Sequence, residues 1–255
     1  MARLTKASSN SEILAVLNET ADAVGVVLRA NTDWSLSGLR DTQYAVDVRA
    51  DAAALEVLTS AGVAVLSEES KFTGTFGEND LCVVIDPLDG STNASRGVPW
   101  FATALCAIDK SGMRAGLVVN QANGHDRYWA SAGGGAFHNG VAMRPSGCAE
   151  LSEAVVGISG IPKQRPKWGQ FRALGAAALD ICLVADGVID AWIDFNTHGV
   201  WDYLASALIC QEAGAFIVEH QDRSLVVHEH GQRRTPIAAA TSDLLASARQ
   251  IRAQQ

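Results

Sequence analysis

The residues most able to do chemistry lie in one stretch, Ile85-Asp86-Pro87-Leu88-Asp89-Gly90-Ser91-Thr92-Asn93. An apolar run from Leu81 to Ile85 reads as a strand that delivers Asp86, and Pro87, which has no N–H, is expected to stop the ladder there. Asp89 follows three residues on, in a turn ended by Gly90. Two carboxylates this close repel each other unless a cation lies between them. Gly90-Ser91-Thr92 offers consecutive backbone N–H groups and two hydroxyls, a surface suited to phosphate. Asp-Pro-x-Asp-Gly is also a common surface turn, because each of its residues favours one. More acid lies elsewhere. Glu68-Glu69 follows the short apolar run Val63 to Leu66, and Asp202 stands in Trp201-Asp202-Tyr203, ahead of an apolar helix. Taken alone, the first pair reads as solvated surface and Asp202 as a helix N-cap. His228-Glu229-His230 reads as an exposed strand or hairpin, not as a metal motif.

The elements that must position these residues can be read from periodicity. Residues 11–30 carry apolar side chains at helical spacing, with Ser9 or Ser11 as cap. A second helix is expected over 48–61, stopped by Gly62. Residues 101–108 and 115–120 alternate with turns as a meander. Beyond a Gly-rich stretch at 133–140, helices near 170–186, 200–213 and 241–253 alternate with strands near 154–158, 189–193, 215–218 and 236–240. That alternation predicts α/β layering. The expected division is an N-terminal half, 1–140, with the Asp-Pro-Leu-Asp-Gly motif and a C-terminal half, 141–255, with Trp201-Asp202.

Composition limits the partners. The chain has 255 residues, 48% hydrophobic and 19% charged, with a net charge of −8. A protein of this length buries about three quarters of its unfolded surface and needs no disulfide to fold. The acidic balance argues against nucleic acid or an anionic membrane as partner. No stretch reaches the ~18 apolar residues of a membrane span. Five cysteines without a Cys-x-x-Cys pair, and no apolar leader in the first residues, lead us to expect a cytoplasmic protein with free thiols.

The segments DPLDGSTN and WDYLASALICQEAGA, with Glu68-Glu69 upstream, resemble the inositol monophosphatase family of metal-dependent phosphatases. Gly135-Ala136-Phe137-His138-Asn139-Gly140 and the stretch from Gly175 to Ala191 resemble it too, so that the likeness spans about residues 45–250. The resemblance implies a layered α/β (α+β) sandwich, α-β-α-β-α, often a homodimer, with two or three Mg²⁺ per site. It assigns Glu68, Asp86 and the Leu88 carbonyl to a first cation, and Asp86, Asp89 and Asp202 to a second. It gives Ser91 and Gly90 to phosphate, Ser91 and Asp47 to the attacking water, and Asp194 to substrate hydroxyls. The substrate it implies is a small phosphorylated polyol, inositol 1-phosphate first. Fructose 1,6-bisphosphate, histidinol phosphate and a 3′-phosphonucleotide share the same core residues, and a non-catalytic binding protein is the rival of another class. Two departures stand out. The stretch 34–44 lacks the family's usual lysine-bearing loop, and Ala176 replaces its usual hydroxyl residue.

Overall fold

The computed structural model describes residues 3–254. Met1, Ala2 and Gln255, at the outer ends of the two expected halves, lie outside the described residues. The chain opens with α1 (Asn10–Ala30) and α2 (Ala45–Ser60). Ser9 caps α1: its Oγ accepts from Glu12 N at 3.3 Å, while Glu12 accepts from Ser9 N at 2.7 Å. Such a reciprocal cap contributes about 1 kcal/mol.

Eight strands follow, broken only by the short helix α3 (Ser91–Ser95): β1 (Ala64–Ser67), β2 (Lys71–Thr73), β3 (Cys82–Asp89), β4 (Ala102–Asp109), β5 (Gly112–Asn120), β6 (Arg127–Ser131), β7 (Gly135–His138) and β8 (Val141–Ala142). They form one sheet in the order β2-β1-β3-β4-β5-β6-β7-β8. The expected meander over 101–108 and 115–120 is its β4–β5 portion, and β6 to β8 continue it. Past residue 154 come β9 (Val155–Ser159), β10 (Gln170–Arg172), α4 (Ala177–Ala185), β11 (Ala191–Asp194), α5 (Leu204–Ala213), β12 (Phe216–Glu219), β13 (Pro236–Ala239) and α6 (Ser242–Ala253). The five strands make a second sheet, β10-β9-β11-β13-β12.

Side-chain alternation explains the layering. On β1 and β3, Val65, Val83 and Ile85 pack with α1 and α2, whereas Leu66, Cys82 and Val84 face a central core with α4 and α5. Over β1, β3 and β4 the sheet is covered on both faces, so these strands read as largely apolar runs. A third core joins Val156, Ala191, Ile193, Ile237 and Ala239 of the second sheet to Leu244, Ala248 and Ile251 of α6. Three cores fill the four interfaces between five layers, α-β-α-β-α, the central one lying on both sides of α4 and α5. Every residue of α4 is buried, as befits a helix between two sheets. The expected helix over 170–186 is therefore shorter than its apolar pattern suggested, and its first residues form the exposed strand β10 instead. Helix α5 lies close on β5 at Gly116, where an added Cβ would stand 2.8 Å from the Ala205 carbonyl oxygen. Among the described residues, no helix is long and apolar enough to cross a membrane.

Candidate active site

Strand β3 does not end at Pro87. Its pairing with β4 passes from Asp86↔Ala104 to Asp89↔Ala102, a bulge that takes up Pro87 and Leu88. Proline cannot donate to the ladder, and side chains complete the hydrogen bonding in its place. Thr103 Oγ1 donates to the Pro87 carbonyl at 2.9 Å, and Leu88 N donates to Asp86 Oδ1 at 2.9 Å. Gly90 then turns the chain into α3 with φ 81°. A Cβ there would meet Ala176 Cβ at 3.1 Å and the Gly175 and Trp100 carbonyls at 3.2 Å.

Asp202 does not cap α5. It ends a 3₁₀ turn, Val200–Asp202, and accepts from Gly199 N at 2.8 Å. The turn brings Asp202 to Glu68 and Asp86, and one carboxylate oxygen from each of the three lies within 4.8 Å of the others. Asp89 stands beside them and accepts from Ala178 N at 2.8 Å. The acids work against one another. Burial first, then the charges of Asp202 and Glu69, raise Glu68 to about 8. Burial, reinforced by their neighbours' charges, also pushes Asp86 and Asp89 well above the carboxylate range, and burial raises Asp202 against the pull of His198.

A cleft of about 120 Å³ opens on one side of the cluster, lined by Glu68, Glu69, Asp47, Leu88, Ser91 and the 40–43 segment. Asp47 accepts from Tyr44 N at 2.7 Å, but its Oδ1 is buried with no hydrogen-bond partner. Burial raises its carboxyl to about 6. The unusual 34–44 loop closes this side. Arg40 and Gln43 both bond the Glu69 carboxylate, and Arg40 also donates to the Glu68 carbonyl at 3.2 Å. On the other side lies a cavity of about 250 Å³, where Asp89 and Asp202 meet Ser159, Ala176, Asp180 and His198.

A divalent cation fits this donor set. The three clustered groups are carboxylates, the hard oxygen ligands such an ion selects. Asp47 lines the same cleft, where a hydrating water could serve its unpartnered oxygen.

Asp194 departs from its expected place. It is fully buried; its Oδ1 accepts from Asn196 N and its Oδ2 from His198 Nδ1, each at 2.8 Å. With both oxygens engaged in the protein, it does not face the cavity. The ring of His198 does, with Nε2 3.5 Å from Ser159 Oγ. Burial opposes the charged imidazole, but the Asp194 hydrogen bond and the charges of Asp202 and Asp194 outweigh it and raise His198 to about 9. The 228–230 segment is a loop, not a strand. His228 is exposed, but His230 is half-buried, and its Nε2 bonds the Glu68 carbonyl at 2.9 Å. Arg40, Gln43, His198 and His230 are the site residues that sequence reasoning missed. The spacing of His198 four residues after Asp194 was the one local signal among them.

Fold and site together define a layered α/β protein with a carboxylate cluster between two openings, a donor set suited to a divalent cation. The chain matches the inositol monophosphatase family over residues 9–254 and belongs to it. A protein of Archaeoglobus fulgidus named fructose-1,6-bisphosphatase/inositol-1-monophosphatase is 34% identical over 208 residues, 78% of this chain and 79% of that one. The Nus factor SuhB of Pseudomonas aeruginosa is 36% identical over 172 residues, 60% of this chain and 62% of its own. The crystal structure of the extragenic suppressor protein suhB from Bartonella henselae matches with a TM-score of 0.78 at 26% identity, covering 94% of this chain and 98% of that one.

Proposed function

We propose that this chain is a Mg²⁺-dependent phosphomonoesterase acting on a small phosphorylated polyol, inositol 1-phosphate first. The observation that carries the reading is the cluster of Glu68, Asp86 and Asp202 within 4.8 Å, with a cleft on either side. When bound, two or three cations would neutralise the phosphate and acidify the attacking water, the largest needs of a reaction that is very slow unaided. Asp86, Asp89, Asp202, Glu68 and the Leu88 carbonyl would hold them. Glu68 and Asp47 would accept hydrogen bonds from the water and orient it. Ser91 would direct that water and, with the Gly90 amide, grip the phosphate. The leaving alcohol would occupy the cavity at His198 and Ser159, two side chains that can bond hydroxyls.

The relatives' names divide among inositol-1-monophosphatase, fructose-1,6-bisphosphatase and Nus factor. A purely binding role has no need of a full ligand set, and Glu68, Asp86, Asp89 and Asp202 are all present. We therefore favour the catalytic reading. Phosphate release should be assayed over polyol, sugar, histidinol and nucleotide phosphates, with Mg²⁺ and with a chelator. Turnover that survives the chelator, or no release from any substrate, would sink the reading. We further infer two structural halves, 1–140 and 141–255, a cytoplasmic location from the free thiols, and a homodimer, which light scattering at one protomer mass would reject.

A further inference from the structure

Glu68 and Asp202 reach the cation site from separate parts of the fold. Glu68 follows β1, and Asp202 ends the turn before α5. Their charges repel, so something must hold their backbones in register. The loop between β12 and β13 reaches both. Its His230 lies 2.9 Å, through Nε2, from the Glu68 carbonyl oxygen. A carbonyl only accepts, so Nε2 carries the proton and donates it. The same imidazole lies against the indole of Trp201, ring centroids 4.6 Å apart and planes 31° from parallel. Trp201 is 4% exposed and immediately precedes Asp202. Arg233, from the same loop, lies 5.2 Å from that indole. Arg40 also reaches the Glu68 carbonyl, but its guanidinium is engaged by Glu69.

We propose that His230 is a positioning residue: by bonding Glu68 while packing on Trp201 it fixes the spacing of the Glu68 and Asp202 carboxylates, and so the affinity of the site for a divalent cation. The proposal rests on the reading that these carboxylates hold the catalytic cation. Partners that orient metal ligands commonly govern affinity by ten- to a hundredfold.

The test is Mn²⁺ binding to the substrate-free protein, followed by electron paramagnetic resonance, with the metal-free thermal midpoint measured alongside. His230→Phe keeps a ring on Trp201 and removes the donor. His230→Gln places an amide N–H at similar reach. The dissociation constant for Mn²⁺ should rise about tenfold or more in the Phe variant and be largely restored in the Gln variant. The metal-free midpoint of the Phe variant should stay near that of the wild type. Wild-type affinity in His230→Phe, or equal weakening in both variants, overturns the proposal. Should the Phe variant fail to fold, His230→Asn, whose amide falls short of Glu68, replaces it with the same outcomes. A Glu68→Gln control separates the two levels. If it leaves Mn²⁺ binding intact, the cation does not sit at this cluster and the functional reading fails as well.

Discussion

Asp89 is held by the amide of Ala178 and Asp202 by the amide of Gly199, so each carboxylate keeps its other oxygen for the site. Asp89→Asn and Asp202→Asn preserve volume but remove a charge that the cation needs. Each should lower phosphate release by a hundredfold or more, the scale of several kcal/mol of lost charge stabilisation. Circular dichroism should be unchanged, and near-wild-type rates in either variant would show the site misplaced. Asp194 behaves differently, because its two bonds lie inside the protein. Asp194→Ala strands the His198 Nδ1–H, costing about 1–3 kcal/mol when buried and unpaired, and frees the Asn196 amide. The variant should unfold at lower denaturant and lose rate equally on polyol and aryl phosphates. A loss confined to the polyol would return Asp194 to substrate contact. Asp86 and Asp89 were legible because each sits beside a residue that shapes backbone, Pro87 and Gly90, whereas Glu68 and Asp202 were legible only through the family resemblance. His230 was not legible, since its partner lies 162 positions away and nothing in His-Glu-His points to it.

Helices and strands divide in the same way between local and distant causes. Helix α1 declares itself by spacing and by a cap written within four residues. Helix α4 does not, because an all-buried helix and a buried strand share an apolar pattern, and only its neighbours show where it starts. The β3 bulge was half legible: proline predicts a break in the ladder, but the resumption of pairing at Asp89 depends on Ala102 of another strand. The 34–44 loop could be recognised as unusual, yet its bonds to Glu68 and Glu69 could not. Gly90 is the joint at which β3 hands its acids to α3. Gly90→Ala would force a positive φ on an L-residue, costing roughly 1–2 kcal/mol, and press a methyl group against two carbonyls. A lower thermal midpoint and a fall in kcat are expected, and an unchanged midpoint would mean that the 175–176 segment yields freely.

The layer order followed from resemblance, since periodicity alone gave only α/β alternation, and three separate cores account for it physically. The charge of the whole molecule then sets its response to pH. Without a cation, Glu68 is raised from 4.5 to about 8, Asp180 from 3.8 to about 7 and Asp47 from 3.8 to about 6, each mainly by burial. The folded state therefore holds more protons than the unfolded one above pH 4, and stability falls as pH climbs toward 8. His198, raised from 6.5 to about 9, extends the fall in the same direction. Glu219 is lowered to about 2, its bonds to Arg223 and nearby amides outweighing burial; its contribution is lost only below pH 4.5, as pH falls toward 2. In chelator, the thermal midpoint should drop between pH 5 and 8; a flat or rising profile would contradict this. Cation binding must then expel protons from the cluster. Calorimetry at pH 7 should give binding heats that change with the buffer's ionisation enthalpy, and identical heats in all buffers would refute it. The seating of α5 on β5 adds a constraint of another kind. At Gly116 the two layers have no clearance at all, and the turn carrying Asp202 rides on the helix they seat. The height of the Asp202 carboxylate is thus gauged by a missing side chain on the strand beneath the helix that follows it. Whatever phosphate this chain has come to accept, its pocket could be reshaped residue by residue, but a side chain at position 116 would have to displace the backbone of α5.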